Sequence, residues 1–142
     1  MVEANDQRKL QELLAQVQYY QAALQDIARQ VALGERALED MVATIEAVEE
    51  LPKSKESEAM VPIGAGVFSK ANLLDKKNVV IAVGAGVYIK KTHVEAKAYL
   101  TDKKAKLEEM LKSMKAQADK MGMDLDIASK VAEELYVKLQ GK

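Results

Sequence analysis

The apolar residues in the first third of the chain recur alternately every three and four positions. Six consecutive heptads follow this a/d spacing, and Gly34 is the only seam position without an apolar side chain. A repeat of this length predicts a coiled-coil helix. We expect it over residues 5–51, with Asn5 or Asp6 as the N-cap and Pro52 ending it, because proline has no backbone N–H to donate. The seam positions are Leu10, Leu13, Val17, Tyr20, Leu24, Ile27, Val31, Gly34, Leu38, Met41, Ile45 and Val48.

A second heptad pattern fills the last third of the chain and predicts a coiled-coil helix over residues 92–140. Thr92 and Glu95 have the spacing of a capping box, which predicts the start of this helix. Lys104 is the one polar residue of the second seam. The seam positions are Leu100, Lys104, Leu107, Leu111, Met114, Ala118, Met121, Leu125, Ala128, Ala132, Leu135 and Leu139.

The two predicted helices have similar lengths, which favours an antiparallel coiled coil with the middle of the chain at one end. Aligning the two seams gives facing positions whose residue numbers sum to about 145. In this register Gly34 lies opposite Leu111, so we interpret the glycine as room for a large facing side chain. The same register places Leu10 opposite Leu135.

The middle segment, residues 58–91, has the pattern of β-strands. Short runs rich in β-branched residues alternate with turn segments, so we predict four strands in two hairpins. The Gly-Ala-Gly segments at 64–66 and 84–86 are expected to form a turn or a β-bulge. The predicted strands are residues 59–63, 67–73, 79–83 and 87–91.

These hairpins are too small to build a stable core alone. The strand at 79–83 is apolar on both faces and requires cover on both sides, and unpaired apolar edges aggregate. The sequence therefore predicts an α+β fold, a long antiparallel two-helix coiled coil with two central β-hairpins through which the protein oligomerises. The expected oligomerisation residues are Val61, Ile63, Val67, Phe68, Val79, Ile81, Val83, Val87 and Ile89.

Composition narrows the possible functions. Of 142 residues, 49% are apolar but only 4% are aromatic, which favours long helices over a compact globular core. The net charge of −1 argues against a nucleic-acid partner, although residues 1–50 alone carry −6. No apolar run is long enough for a membrane span, and we identify no signal peptide. The absence of cysteine fits a cytoplasmic location.

The chemical motifs of the chain favour structural interpretations. Both Gly-Ala-Gly segments lack the third glycine and the following helix of a dinucleotide-binding loop. His93 is the only histidine, and we interpret it as a residue near a helix start. We therefore predict no catalytic residue, no metal site and no cofactor. The lysine pairs at 76–77 and 90–91 are either solvated surface or a basic patch for an acidic partner.

The order of a coiled-coil helix, two hairpins and a returning coiled-coil helix resembles the α class of prefoldin subunits. The most specific likeness lies in residues 61–68 (VPIGAGVF) and 83–90 (VGAGVYIK), followed by Glu95 and Ala96. The resemblance implies a single prefoldin-like domain over residues 1–142. It also implies that the hairpins oligomerise into a β-barrel body in a hexamer of two α and four β subunits.

The same resemblance implies a molecular chaperone. Such a subunit would bind unfolded or nascent polypeptides at its coiled-coil tips without ATP and deliver them to a group II chaperonin. A related class of the family builds homo-oligomeric filaments. The alternative is therefore a structural coiled-coil protein that self-assembles through its hairpins into filaments or a scaffold, and neither interpretation is an enzyme.

Surplus apolar side chains beside the seam indicate where a client would bind. A two-helix coiled coil needs apolar residues mainly at a and d, and extra ones gather at the predicted end away from the hairpins. In the predicted register Leu14 faces Val131, and Tyr136 lies beside Leu10. Alternatively, the helix ends splay and these side chains cover one another. The expected client-binding residues are Leu10, Leu14, Val131, Tyr136, Val137 and Leu139.

Overall fold

The computed structural model describes residues 1–141 and contains two long helices and four strands. This α+β architecture confirms the predicted fold class. The chain divides into two compact units, one of residues 1–36 with the end of the second helix from residue 108, the other of residues 37–107. The elements are α1 (Val2–Glu50), a 3₁₀ turn (Leu51–Lys53), β1 (Glu58–Gly64), β2 (Val67–Asn72), β3 (Asn78–Gly84), β4 (Val87–Thr92) and α2 (His93–Gln140).

The heptad seams are the least exposed parts of both helices. Every predicted seam position of α1 and of α2 is buried or half-buried, whereas most other helix positions are exposed. Burial of apolar side chains along one stripe is what stabilises an amphipathic helix in water. The seam predicted from the spacing is therefore confirmed. Its most buried members are Ile27, Leu111, Ala128 and Ala132.

Ion pairs between the two helices show that they run antiparallel within each unit. In the first unit Lys138 Nζ lies 3.1 Å from Asp6 Oδ2, and Lys115 Nζ lies 2.8 Å from Glu35 Oε1. In the second unit Lys97 pairs with Glu49. The Asp6–Lys138 and Glu49–Lys97 pairs agree with the predicted register to within one residue, and the Glu35–Lys115 pair departs from it by five residues.

Gly34 and Leu111 face each other, as the register predicts. A Cβ atom built on Gly34 would overlap Leu111 Cδ2 and lie only 3.2 Å from Leu111 Cγ. Leu111 is 4% exposed, so its side chain fills the space that the missing Cβ leaves. The glycine thus lets a large side chain enter the seam at this position.

The helix ends differ in detail from the prediction. Helix α1 begins at Val2, so the predicted N-cap at Asn5 or Asp6 is wrong. Asp6 instead lies within the helix. Its carboxylate forms an ion pair with Lys138 of α2, and the local sequence pattern cannot show this stabilising contact. Helix α2 begins at His93, and Thr92 Oγ1 accepts a hydrogen bond from the Glu95 amide at 3.2 Å. This bond is one half of the predicted capping box.

The four strands form two separate two-stranded antiparallel sheets, β1 with β2 and β3 with β4. Strand β2 ends one residue earlier than predicted, at Asn72. Each hairpin closes through a two-residue turn with positive φ at both positions, 50° and 80° at Ala65 and Gly66, and 53° and 73° at Ala85 and Gly86. This is the type I′ geometry, whose twist matches that of the paired strands.

A β-bulge precedes each turn at the corresponding position. The pairing shifts between Pro62 and Gly64 in the first hairpin and between Ala82 and Gly84 in the second. Gly64 and Gly84 have φ of 145° and 108°, values that favour glycine. The sequence left open whether Gly-Ala-Gly forms a turn or a bulge, and the structure contains both.

Candidate assembly and client-binding surfaces

The second hairpin carries a mostly apolar face that also includes Lys91. Ile81 pairs with Ile89, and the Val79–Lys91 and Gly84–Val87 pairs flank them on the same side. Residues two apart on a strand share a face, so these side chains form one surface. Val87 is 52% exposed and Ile89 is 41% exposed, which leaves much of the surface in contact with water.

The opposite face of this hairpin is mixed. Val80 pairs with Lys90 and Ala82 pairs with Tyr88 across the strands. Lys90 Nζ also lies 3.6 Å from Asp75 Oδ2. Because cationic and hydroxyl groups lie among its apolar side chains, this face suits solvent better than an apolar interior.

The first hairpin leaves apolar side chains exposed on both faces. Val61 pairs with Ser69 on one face, and Pro62 pairs with Phe68 on the other. Val61, Val67 and Phe68 are all exposed, the last two by more than half. Cross-strand pairs alone therefore do not cover this surface, and a further layer of protein would bury it.

The remaining predicted oligomerisation residues, Ile63 and Val83, are the extra residues of the two bulges. Ile63 is 70% exposed and Val83 is 39% exposed. Neither residue has a direct cross-strand partner. Each bulge therefore places one unpaired apolar residue beside the hairpin turn.

In the first unit, a shallow groove of about 340 Å³ lies between the two helices. It brings together three of the predicted client-binding residues, Leu10, Leu14 and Tyr136. Leu14 and Tyr136 are each about half exposed, and Tyr136 Oη accepts a hydrogen bond of 2.6 Å from Gln140 Nε2. The groove is lined by Leu10, Leu14, Val17, Ser129, Ala132, Glu133 and Tyr136.

The other three predicted client-binding residues lie outside this groove. Val137, 63% exposed, lines a separate hollow of about 410 Å³ with Lys130, Glu133 and Glu134. Leu139 is half-buried in the seam, and Val131 is 37% exposed.

The predicted facing pair of Leu14 and Val131 is wrong. Val131 precedes the seam residue Ala132, whereas Tyr136 follows the seam residue Leu135. Five residues along a helix correspond to roughly 140° around its axis, so Val131 and Tyr136 lie on opposite edges of the seam. Leu14 shares its groove with Ser129 and Tyr136 instead.

A hydrogen-bonded junction at residues 73–78, which the sequence pattern did not indicate, joins the segments around the hairpins. Lys76 Nζ donates to the backbone carbonyls of Ser54, at 2.7 Å, and Glu56. Solvated surface and a basic patch were the two interpretations left open for the lysine pairs, and neither includes this contact: Lys76 is half-buried and bonded to main-chain oxygens. His93, predicted to lie near a helix start, donates its backbone N–H to the carbonyl of Lys77 at 3.2 Å.

Two carboxylates near the junction are stabilised in their charged forms. Hydrogen bonds from the Asn78 side chain and the Lys77 amide hold the pKa of Asp75 below its ordinary value. The hydrogen bond and positive charge of Lys97 likewise lower the pKa of Glu49. Both carboxylates are structural: each holds neighbouring segments together through donors that the fold supplies.

Residues 1–141 contain no group of three or more His, Asp or Glu side chains arranged to hold a metal ion. No helix in this part of the chain is long and apolar enough to cross a membrane.

Comparison with known proteins gives a consistent family. The Prefoldin family, described as prefoldin subunit, matches residues 20–138. Prefoldin subunit alpha of Pyrococcus horikoshii is 28% identical over 137 residues, covering 95% of this chain and 93% of that protein. Prefoldin subunit alpha 1 of Thermococcus kodakarensis is 38% identical over 98 residues, covering 68% of this chain and 67% of that protein.

A solved structure shares the fold. The cryo-EM structure of filamentous PFD from Methanocaldococcus jannaschii superposes with a TM-score of 0.69 over 78% of this chain and 92% of that chain. Its sequence identity is 16%, so the likeness supports the architecture alone.

Two helices joined by two hairpins, together with the family match over residues 20–138, define the class: the chain belongs to the prefoldin family. Within it the chain is an α-class subunit, since relatives named prefoldin subunit alpha align along nearly its whole length. Prefoldin subunits are chaperones and not enzymes. The family also implies assembly with other prefoldin subunits, for which the exposed hairpin faces provide apolar surface.

Proposed function

We propose that this chain is the α subunit of a hexamer of two α and four β prefoldin subunits. In this proposal the hexamer binds unfolded or nascent polypeptides without ATP, in the cytoplasm, and delivers them to a group II chaperonin. The observation that carries the client-binding role is the groove at the edge of the seam, where the half-buried seam residue Leu10 adjoins the exposed side chains of Leu14 and Tyr136.

The hairpin surfaces support assembly into a closed β-barrel body. Ile81 and Ile89 form the centre of an apolar face that the chain alone covers only in part: Ile81 is half-buried and Ile89 is 41% exposed. Covering such a face stabilises an assembly by about 25 cal/mol per Å² of apolar surface buried. Pairing with strands of other subunits would also satisfy the free strand edges, which otherwise promote aggregation.

The groove supports binding of varied unfolded clients. Its walls include aliphatic, aromatic and carboxylate groups, and its shallow form imposes little shape selection. Each apolar contact with a client is weak, about 1.5–3 kcal/mol for full burial of a side chain. Several such grooves in one oligomer would bind a single client more tightly by multivalency.

Two substitutions in the groove test the client-binding role. The double variant L14S/Y136S removes exposed apolar surface without altering a seam position. We expect the hexamer with this variant to suppress aggregation of chemically denatured lysozyme about tenfold less effectively. The control is L33S, because Leu33 is a similarly exposed apolar residue, 62%, on the same unit but outside the groove. Equal suppression by wild type, control and double variant would contradict the role of the groove.

The filament alternative is distinguished by the assembly state. The fold match to filamentous PFD motivates this alternative, in which the chain self-assembles through its hairpins. Size-exclusion chromatography with light scattering separates the two: a closed hexamer that forms only with a β-class subunit supports the proposal. Open-ended growth of this chain alone supports the filament. Binding of the hexamer to a purified group II chaperonin, measured by co-sedimentation, tests the delivery step.

A further inference from the structure

Two irregular segments in the unit of residues 37–107 are joined by one side chain. Residues 54–57 lead from the 3₁₀ turn into β1, and residues 73–77 connect the two hairpins. Neither segment belongs to a helix or strand, so neither has the repeating hydrogen bonds of regular structure. Lys76, on the second segment, donates to the carbonyls of Ser54 and Glu56 on the first.

The chemistry of this contact is specific to lysine. An ammonium group carries three N–H donors and no acceptor, so it can serve two carbonyl oxygens at once. Hydrogen bonds from a charged donor are also stronger than those between neutral groups. A lysine aimed at main-chain oxygens across a separation of 20 and 22 residues therefore fixes the path of one segment against the other.

Other bonds attach the same loop to each hairpin and to α2. The Leu73 amide donates to the Ser57 carbonyl at 2.7 Å, which extends the first hairpin beyond its last paired residues. Asp75 Oδ1 accepts from the amides of Lys77 and Asn78, where β3 begins. The Lys77 carbonyl accepts from the His93 amide at the start of α2. These bonds connect the loop that carries Lys76 to the starts of β1, β3 and α2.

We propose that Lys76 is a positioning residue for assembly, because its ammonium group holds residues 54–57 against the inter-hairpin loop and so fixes how both hairpins are presented to partner subunits. This inference rests on the proposed assembly through the hairpins. A preorganised surface binds with less loss of conformational entropy, so releasing the loop weakens assembly even though no residue of the interface itself changes.

The adjacent lysine provides a matched control. Lys77 enters the junction through its backbone carbonyl, so the variant K77M keeps that contact and removes the same charge one residue away. The variant K76M keeps the length of the side chain but removes all its donors. K76R restores a charged donor group that can reach two carbonyls.

The first measurement is amide hydrogen exchange of the full-length chain. In K76M we expect the Leu73 amide to exchange about tenfold faster than in wild type, as loss of two hydrogen bonds predicts. K77M is expected to match wild type, and K76R to return most of the protection. Equal exchange in K76M and K77M would overturn the role of Lys76.

The second measurement is assembly with a β-class prefoldin subunit, followed by light scattering across a concentration series. K76M should need about tenfold more protein to assemble than K77M, and K76R should approach wild type. Faster exchange in K76M with unchanged assembly would overturn the inference. If wild type itself does not assemble with the β-class subunit, the proposed hexamer fails, whereas the exchange result still judges the contact of Lys76.

Discussion

The helices and the hairpins differ in how far they bury their apolar side chains. Along α1 and α2 the apolar seam is buried or half-buried by the facing helix, and the exposed apolar side chains lie outside it. Along β1 to β4 the cross-strand pairs leave Val61, Phe68, Val87 and Ile89 exposed, although the hairpins are well formed.

This difference follows from geometry. Two helices can each shield one apolar stripe of the other from water, because each stripe needs only one partner. A two-stranded sheet has two faces and two edges, and its strands can cover neither face. The helices therefore cover their seam within one chain, whereas the hairpins leave apolar side chains exposed that the proposed assembly would cover. Four experiments test this contrast.

The largest effect is expected from a charge on the apolar face of the second hairpin. The variant I89D would place a carboxylate directly across the strands from Ile81, on the face that the proposed assembly buries. Such burial costs several kcal/mol, so we expect assembly to weaken by at least about a hundredfold. Far-UV circular dichroism should show unchanged helix content, because the seam is not altered.

The control for this variant is V80D on the mixed face of the same hairpin. Its new carboxylate would lie across the strands from Lys90, a favourable pairing. Light scattering of both variants with a β-class subunit gives the comparison. Equal loss of assembly by the two variants would show that the apolar face is not the buried one.

A smaller effect is expected where the helix seam is tightest. The Cβ atom of G34A would overlap Leu111, a clash of the kind that costs about 1–3 kcal/mol in a packed core. Gly122 has no atom within 4 Å of an added Cβ, so G122A should stabilise its helix by about 1 kcal/mol. We expect denaturant unfolding to place G34A about 2 kcal/mol below G122A. Equal stability would contradict close packing at Gly34.

The Gly34–Leu111 contact also shows what the sequence can predict. The heptad spacing fixed which side chains enter the seam, and aligning two seams of similar length placed these two residues opposite each other. The same alignment misplaced Leu14 against Val131, because matching residue numbers does not say on which edge of the seam a side chain lies. That information requires the rotation of both helices.

Contacts between residues far apart in the sequence could not be predicted from the heptad spacing. Lys76 reaches residues 54 and 56 through a loop with no repeating pattern, so its sequence context resembles that of any surface lysine. Asp6 appeared to be an N-cap, because the local pattern could not report the contact with Lys138 at the far end of the chain.

A gain in stability is expected at the hairpin turns. Ala65 has φ of 50°, a left-handed conformation that disfavours residues with a Cβ by about 1–2 kcal/mol. Asparagine tolerates this conformation, and Asn-Gly is the preferred type I′ sequence. We therefore expect A65N to stabilise the first hairpin by about 1 kcal/mol, measured as slower amide exchange of its strands. A65V should have the opposite effect, and equal exchange in the two variants would contradict the turn geometry.

The smallest effect concerns the ion pair between Glu49 and Lys97. This pair joins the two helices within the unit of residues 37–107, which also contains the hairpins. Lys97 lowers the pKa of Glu49 in the folded protein, so folding favours the charged carboxylate. The resulting stability is present at neutral pH and is lost as the pH falls through the lowered pKa. E49Q should therefore melt slightly below wild type at pH 7, and the difference should disappear once the pH is below the lowered pKa of Glu49. Because exposed ion pairs contribute little, a large difference at pH 7, or one that persists in acid, would mean that Glu49 has another role.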